Sequence, residues 1–299
     1  MPSTLVRTAL PPTVALAAGE GGLPKLTIAN EQARAEIYLH GAHVTAWQPR
    51  GHTDVLWMSG KSYWQDAKPI RGGVPICFPW FGPHASHASA PGHGFARLLD
   101  WTLVDARDDA GGATQLAFQL AAPSPPSPAW PHACEATFRV TVGTSLTMAL
   151  EVSNPGRDPL TFEEALHTYF TVQDVRAIAI RGLEGADYLD KVGGTTRRNQ
   201  GADPIRFTAE TDRVYLDTQA TCTIDDPGLD RRIVVRKTGS DATVVWNPWV
   251  AKAKAMPDYG DDEWPGMVCV ETCNVNVHAV TLAPGARHVL TATIDVETA

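Results

Sequence analysis

Two ionisable side chains sit inside short apolar segments that read as strands. His167 lies in Phe162-Glu163-Glu164-Ala165-Leu166-His167-Thr168-Tyr169-Phe170, and Glu271 in Val268-Cys269-Val270-Glu271-Thr272-Cys273-Asn274-Val275. A buried charge is costly unless something pairs with it. An imidazole titrates near pH ~6.5 when unperturbed, so it can give a proton at neutral pH, and a carboxylate can take one. Side-chain alternation puts Glu163, Ala165, His167 and Tyr169 on one face of their strand, and Cys269, Glu271 and Cys273 on one face of theirs. Each residue also has a plainer reading. His167 can be a core histidine bonded to a backbone carbonyl, and Glu271 one half of a structural ion pair with an arginine.

Two further polar clusters accompany them. The segment Ile70–Gly82 carries a single charge, Arg71, beside Gly72-Gly73 and ahead of Pro75 and Pro79. Glycines allow close backbone approach and prolines stiffen the chain, so Arg71 can be held for bidentate binding of a carboxylate or phosphate. An internal salt bridge to an aspartate is the alternative. In Pro91–Arg97, glycines flank His93, and Arg97 offers a second cation, unless this is an ordinary flexible loop. His84, His87 and His93 are spaced unlike any helical zinc motif, so no metal is expected there. The acidic stretch Asp258–Glu263 lacks the ordered oxygen ligands of a calcium loop and reads as solvated.

The elements that must position these residues are short strands. Thr137–Val142 and Leu146–Val152 alternate on either side of a Gly-containing turn, as in a hairpin. Similar runs recur at Leu26–Ala29, Arg34–Leu39, Val44–Gln48, Leu116–Gln119, Ala177–Ile180, Ile205–Thr208, Ala220–Ile224, Arg232–Lys237, Ala242–Trp246 and His288–Asp295. Helical periodicity is confined to single turns at Lys61–Ala67 and Pro248–Ala255. Turn signals every eight to twelve residues favour a large antiparallel β-sandwich. The Pro-rich stretch Ala121–Pro131 reads as a surface loop, and residues 1–299 as a single all-β domain whose first ~20 residues are flexible.

The chain has 299 residues, 43% hydrophobic, enough for a large core. Its 25 glycines and 23 prolines are spread throughout and favour many short elements. Net charge is −8. No basic run exceeds two residues, and Arg197-Arg198 and Arg231-Arg232 read as solvated turn ends. That pattern argues against nucleic acid as a partner. A few local arginines can still define an anion site on an acidic protein, because exposed charges are screened beyond roughly 8 Å. The five cysteines are odd in number and form no CxxC, as expected of reduced thiols in a cytoplasmic protein. No apolar run is long enough to span a membrane, and Pro11-Pro12 interrupts the stretch that a signal peptide would need.

Taken together, Ile70–Gly82, Gly92–Arg97, Ala165–Phe170, Val244–Trp249 and Val270–Val275 resemble the glucose-6-phosphate 1-epimerases of the aldose 1-epimerase, or galactose mutarotase-like, superfamily. The specific combination is Arg-Gly-Gly-x-Pro-x-x-Phe-Pro-x-Phe-Gly with His-Gly-x-Ala-Arg and Val-Glu-Thr, in that order. The resemblance implies a β-supersandwich that acts without a cofactor on a small sugar phosphate. It implies His167 and Glu271 as the catalytic pair, Arg71 and Arg97 as holders of the phosphate, and Asp212 as a substrate contact. His93 is assigned to a ring hydroxyl. Trp80, Trp246 and Trp249 are candidates for the sugar's apolar face. One departure is Gly92, where the family often has Gln. The expected enzyme is a monomer that interconverts the anomers of a hexose 6-phosphate. The alternatives are an epimerase of unphosphorylated aldoses, a non-catalytic sugar binder, or a glycoside hydrolase, which would need a second carboxylate beside Glu271.

Overall fold

In the computed structural model, which describes residues 4–121 and 128–298, strand patterning dominates as expected. An eight-stranded sheet runs in the spatial order Ala179–Arg181, Cys222–Asp226, Arg231–Thr238, Arg287–Thr298, Leu146–Ser153, Glu135–Val142, Thr114–Leu120, Trp101–Asp108. Its strands alternate: Leu146, Met148, Leu150 and Val152 are buried while the residues between them are partly exposed. That is the signature of an antiparallel sheet with one face on the core and one toward water.

The second large sheet is different. Its order is Thr196–Asn199, Asp187–Asp190, Thr211–Tyr215, Ala242–Asn247, Met267–Asn274, Glu164–Leu166, Ile76–Cys77, and Tyr169–Thr171 also pairs with Met267–Asn274. All eight residues of Met267–Asn274 are buried, so both faces of this strand are covered. A four-stranded meander, Val14–Ala18, Pro24–Ala29, Ala33–Tyr38 and His43–Pro49, and a short pair, Leu160–Phe162 with Val280–Leu282, complete the sheets. One continuous apolar cluster joins Ile37 and Trp47 of the meander, Phe118 and Phe138 of the first sheet, and Val270 of the second.

Several expectations change. The N-terminal segment is tied in rather than flexible, because Arg7 N–H donates to Leu103 carbonyl at 2.9 Å and Val14–Ala18 pairs with Pro24–Ala29. Ile205–Thr208 is not a strand; Ile205 makes only an isolated bridge to Ile180. Lys61–Ala67 forms turns and no helix, whereas Trp249–Ala255 is the one α-helix among the described residues. Arg231 is not solvated. It is buried, and its guanidinium donates to Thr171 carbonyl at 2.7 Å and Asp54 carbonyl at 3.3 Å. Most of the Pro-rich loop, residues 122–127, lies outside the described residues. Among the described residues no helix is long and apolar enough to cross a membrane.

Candidate active site

Glu271 sits on the central, doubly covered strand, opposite Val244. On the strand's other edge the neighbouring chain breaks. Glu164–Leu166 pairs with Thr272–Asn274, and Tyr169–Thr171 with Met267–Cys269, so His167 and Thr168 fall in the gap between them. The sequence suggested one unbroken strand here. The interruption is instead a tight turn in which Thr168 N–H donates to Leu166 carbonyl at 2.9 Å, while His167 N–H still donates to Pro75 carbonyl at 3.0 Å. His167 Nε2 lies 3.3 Å from Glu271 Oε1. The rings of His167 and Tyr169 stack at 4.7 Å and 9°, as their shared face required.

Both plainer readings of this pair fail. Neither oxygen of Glu271, nor Nδ1 of His167, has a hydrogen-bond partner among the described residues. Among the described residues no arginine pairs with Glu271, and the one backbone group acting on the imidazole is His167's own. Buried polar atoms are normally satisfied, and exceptions concentrate where function keeps them open. Burial, reinforced by Arg97 and Arg71, pushes His167 well below the usual histidine range. Burial, reinforced by Asp212, pushes Glu271 well above the usual carboxylate range. Both shifts favour the uncharged form of each group.

All six residues singled out in the sequence, Arg71, His93, Arg97, His167, Asp212 and Glu271, line one cavity of about 290 Å³. His93 adopts a positive φ of 63°, accepts a bond from Gly82 N–H at 3.3 Å through Nδ1, and has its ring centre 5.8 Å from that of His167. Asp212 is raised by burial and opposed by Lys191 and Lys252, the latter 3.7 Å away. Arg97 is held by one backbone contact, Nη2 to Gly92 carbonyl at 2.8 Å, and its buried Nε has no partner. Burial, reinforced by Arg71, lowers its proton affinity.

Arg71 does two things at once. It lines the cavity, but its fork is engaged by Asp258, with Nη2 to Oδ2 at 3.0 Å, and its Nη1 donates to Tyr169 hydroxyl at 3.0 Å. The Asp258–Glu263 stretch is thus not simply solvated. Asp258 is buried against Arg71, and Glu263 accepts bonds from Ser59 hydroxyl and Gly60 N–H at 2.9 Å each. The glycine pair behind Arg71 works as expected: a Cβ at Gly73 would lie 2.3 Å from Val44 carbonyl. His43 Nε2 donates to Gly72 carbonyl at 2.7 Å, and burial lowers this imidazole to about 3, so it stays neutral.

Sequence reasoning missed Lys191 and Lys252, which also line the cavity. Lys191 directly follows the strand Asp187–Asp190 with no pattern to mark it, but Lys252 sits on the helical turn the sequence did indicate. Of the three tryptophans nominated for the sugar face, Trp246 lines the cavity. Trp80 donates to Pro91 carbonyl at 2.9 Å, and Trp249 packs on Trp264 at 4.2 Å, so both serve packing. Gly92 is exposed, and a Cβ there would meet nothing nearer than Gly82 carbonyl at 3.9 Å.

Residues 24–295 match the family model described as aldose 1-epimerase. A protein from Cenchrus ciliaris, provisionally named glucose-6-phosphate 1-epimerase, is 38% identical over 84% of this chain and 78% of its own. One of the same provisional name from Escherichia coli K12 is 38% identical over 84% and 83%. The crystal structure of a provisionally assigned mutarotase, YeaD from Salmonella typhimurium, aligns with a TM-score of 0.90 at 33% identity, covering 97% of this chain and 96% of that one. The chain belongs to the aldose 1-epimerase family.

Proposed function

We propose that this protein interconverts the α and β anomers of a hexose 6-phosphate, with D-glucose 6-phosphate as the leading substrate. The observation that carries the phosphate is the cavity's charge. Arg71, Arg97, Lys191 and Lys252 line it against Asp212 and Glu271, in a chain of net charge −8. Arg97 matters most, because a partly buried guanidinium with no carboxylate partner among the described residues is the group an incoming dianion would satisfy. Arg71, already engaged by Asp258, contributes a rigid positive wall. The relatives named glucose-6-phosphate 1-epimerase support the same substrate class.

Anomer exchange needs the ring to open and close. A base takes the proton of the anomeric hydroxyl while an acid protonates the ring oxygen; the C1–O5 bond breaks and the aldehyde forms. Rotation about C1–C2 presents its other face, and closure reverses the proton transfers. Glu271 acts as the base at O1 and His167 as the acid at O5. A bound phosphate offsets the part of the His167 depression that Arg97 and Arg71 add to burial. The Glu271 proton then moves to His167, which sets the carboxylate and imidazolium needed for opening. Water already drives this reaction slowly, and two placed proton-transfer groups at roughly 10²–10⁴-fold each supply the required scale. His93 and Asp212 bond ring hydroxyls, and Trp246 packs on the sugar's apolar face.

A coupled mutarotation assay across hexoses with and without the 6-phosphate tests the reading. The phosphorylated sugars should be preferred. Arg97→Ala should raise KM for glucose 6-phosphate by roughly 10–100-fold, the cost of one charged hydrogen-bonded contact, with little effect on KM for free glucose. Equal losses on both sugars would remove the phosphate assignment.

A further inference from the structure

A ring nitrogen of His167, a carboxylate oxygen of Glu271 and Cys269 Sγ all lie within 4.8 Å of one another, and all three residues are buried. Mutarotation as derived above makes no use of the thiol. Cys269 is next but one to Glu271 on the same strand, so the pleat brings both side chains to one face. Two ligands each about 2.1 Å from a tetrahedral ion stand about 3.4 Å apart. The observed separation of His167 Nε2 and Glu271 Oε1 is 3.3 Å. A thiolate at about 2.3 Å from the same ion would stand about 3.6 Å from each of the other ligands. Neither Glu271 oxygen has a hydrogen-bond partner to give up.

We propose that Cys269, His167 and Glu271 form a sulfur–nitrogen–oxygen site for a borderline or soft divalent cation such as Zn²⁺, and that an ion held there shuts off anomer exchange. On binding, the thiol proton and any carboxyl proton leave to solvent. The neutral imidazole donates its Nε2 lone pair and keeps its proton on Nδ1. Three protein ligands leave one tetrahedral position for water. Mg²⁺ and Ca²⁺, which prefer all-oxygen shells, are rejected. The ion and the sugar then compete for the same two proton-transfer groups. The inhibition, though not the binding, rests on the catalytic reading above.

Co²⁺ added alone to the intact protein tests binding without reference to activity. Wild type should develop a thiolate-to-cobalt charge-transfer band, and glucose 6-phosphate should bleach it. Cys269→Ser and Cys269→Ala should lack the band while keeping basal exchange. Zn²⁺ should inhibit wild type, and the two Cys269 variants should be at least roughly tenfold less sensitive. A band that persists in both variants, or no band in wild type, overturns the site. A band with no Zn²⁺ inhibition leaves the ion site standing and instead counts against His167 and Glu271 as the reacting pair.

Discussion

At the scale of single residues, the chemistry rests on two groups whose proton affinities burial drives toward neutrality. The pH profile follows from those directions. Lowering the pH puts a second proton on the pair, on His167, which burial and the two arginines hold below 6.5. Raising it removes the one proton, from Glu271, which burial holds above 4.5. Either change disables acid or base, so kcat/KM should trace a bell whose acid limb lies below 6.5. Arg97→Ala removes a depressing cation and should move that limb up in pH. An acid limb that stays put or moves down would contradict the assignment. These residues were legible because His167 and Glu271 interrupt apolar runs. What stayed hidden was partnership across the fold. Nothing in sequence spacing ties Asp258 to Arg71, or marks Lys191 at all, because each joins the cavity only through long-range contacts.

At the scale of elements, positions where one strand's backbone touches another carry the site. Gly73 has a φ of 57° and sits where an added Cβ would be 2.3 Å from Val44 carbonyl. Gly73→Ala should cost about 2–3 kcal/mol from the clash and the left-handed backbone together. It should also lower exchange, because Gly73 carbonyl accepts from Tyr169 N–H at 2.9 Å beside the catalytic histidine. A stability loss below about 0.5 kcal/mol in urea unfolding would show that the platform yields freely. Strand alternation made most elements readable. The break at His167–Thr168 was not, because residues 163–170 pass for one strand and the tight turn from Thr168 N–H to Leu166 carbonyl has no glycine or proline to mark it.

At the scale of the whole molecule, Arg231 joins the two large sheets. From the first sheet it donates to Thr171 carbonyl at 2.7 Å, at the end of the strand that stacks Tyr169 under His167, and it lies 3.9 Å from Asp226. Breaking a buried pair strands its partner, so Arg231→Met should lose roughly 3 kcal/mol or more in urea unfolding with an unchanged m value. An exposed-residue effect, under about 0.5 kcal/mol, would refute this role. In the sequence Arg231-Arg232 looked like a solvated turn. Adjacent strand residues point to opposite faces, so one arginine reaches water and the other the interior. The all-β architecture was readable from patterning, and its particular arrangement from the resemblance of five segments. The docking of one sheet on the other is a matter of three-dimensional packing that linear pattern does not encode.

The most direct measurement is magnetisation exchange between the α and β anomers of glucose 6-phosphate at equilibrium, recorded by NMR with wild type, Glu271→Gln and His167→Ala. Wild type should speed exchange far above the buffer rate. Each variant should stay folded by circular dichroism and lose at least roughly 10²-fold of that acceleration. A folded Glu271→Gln protein exchanging anomers at the wild-type rate would contradict the account.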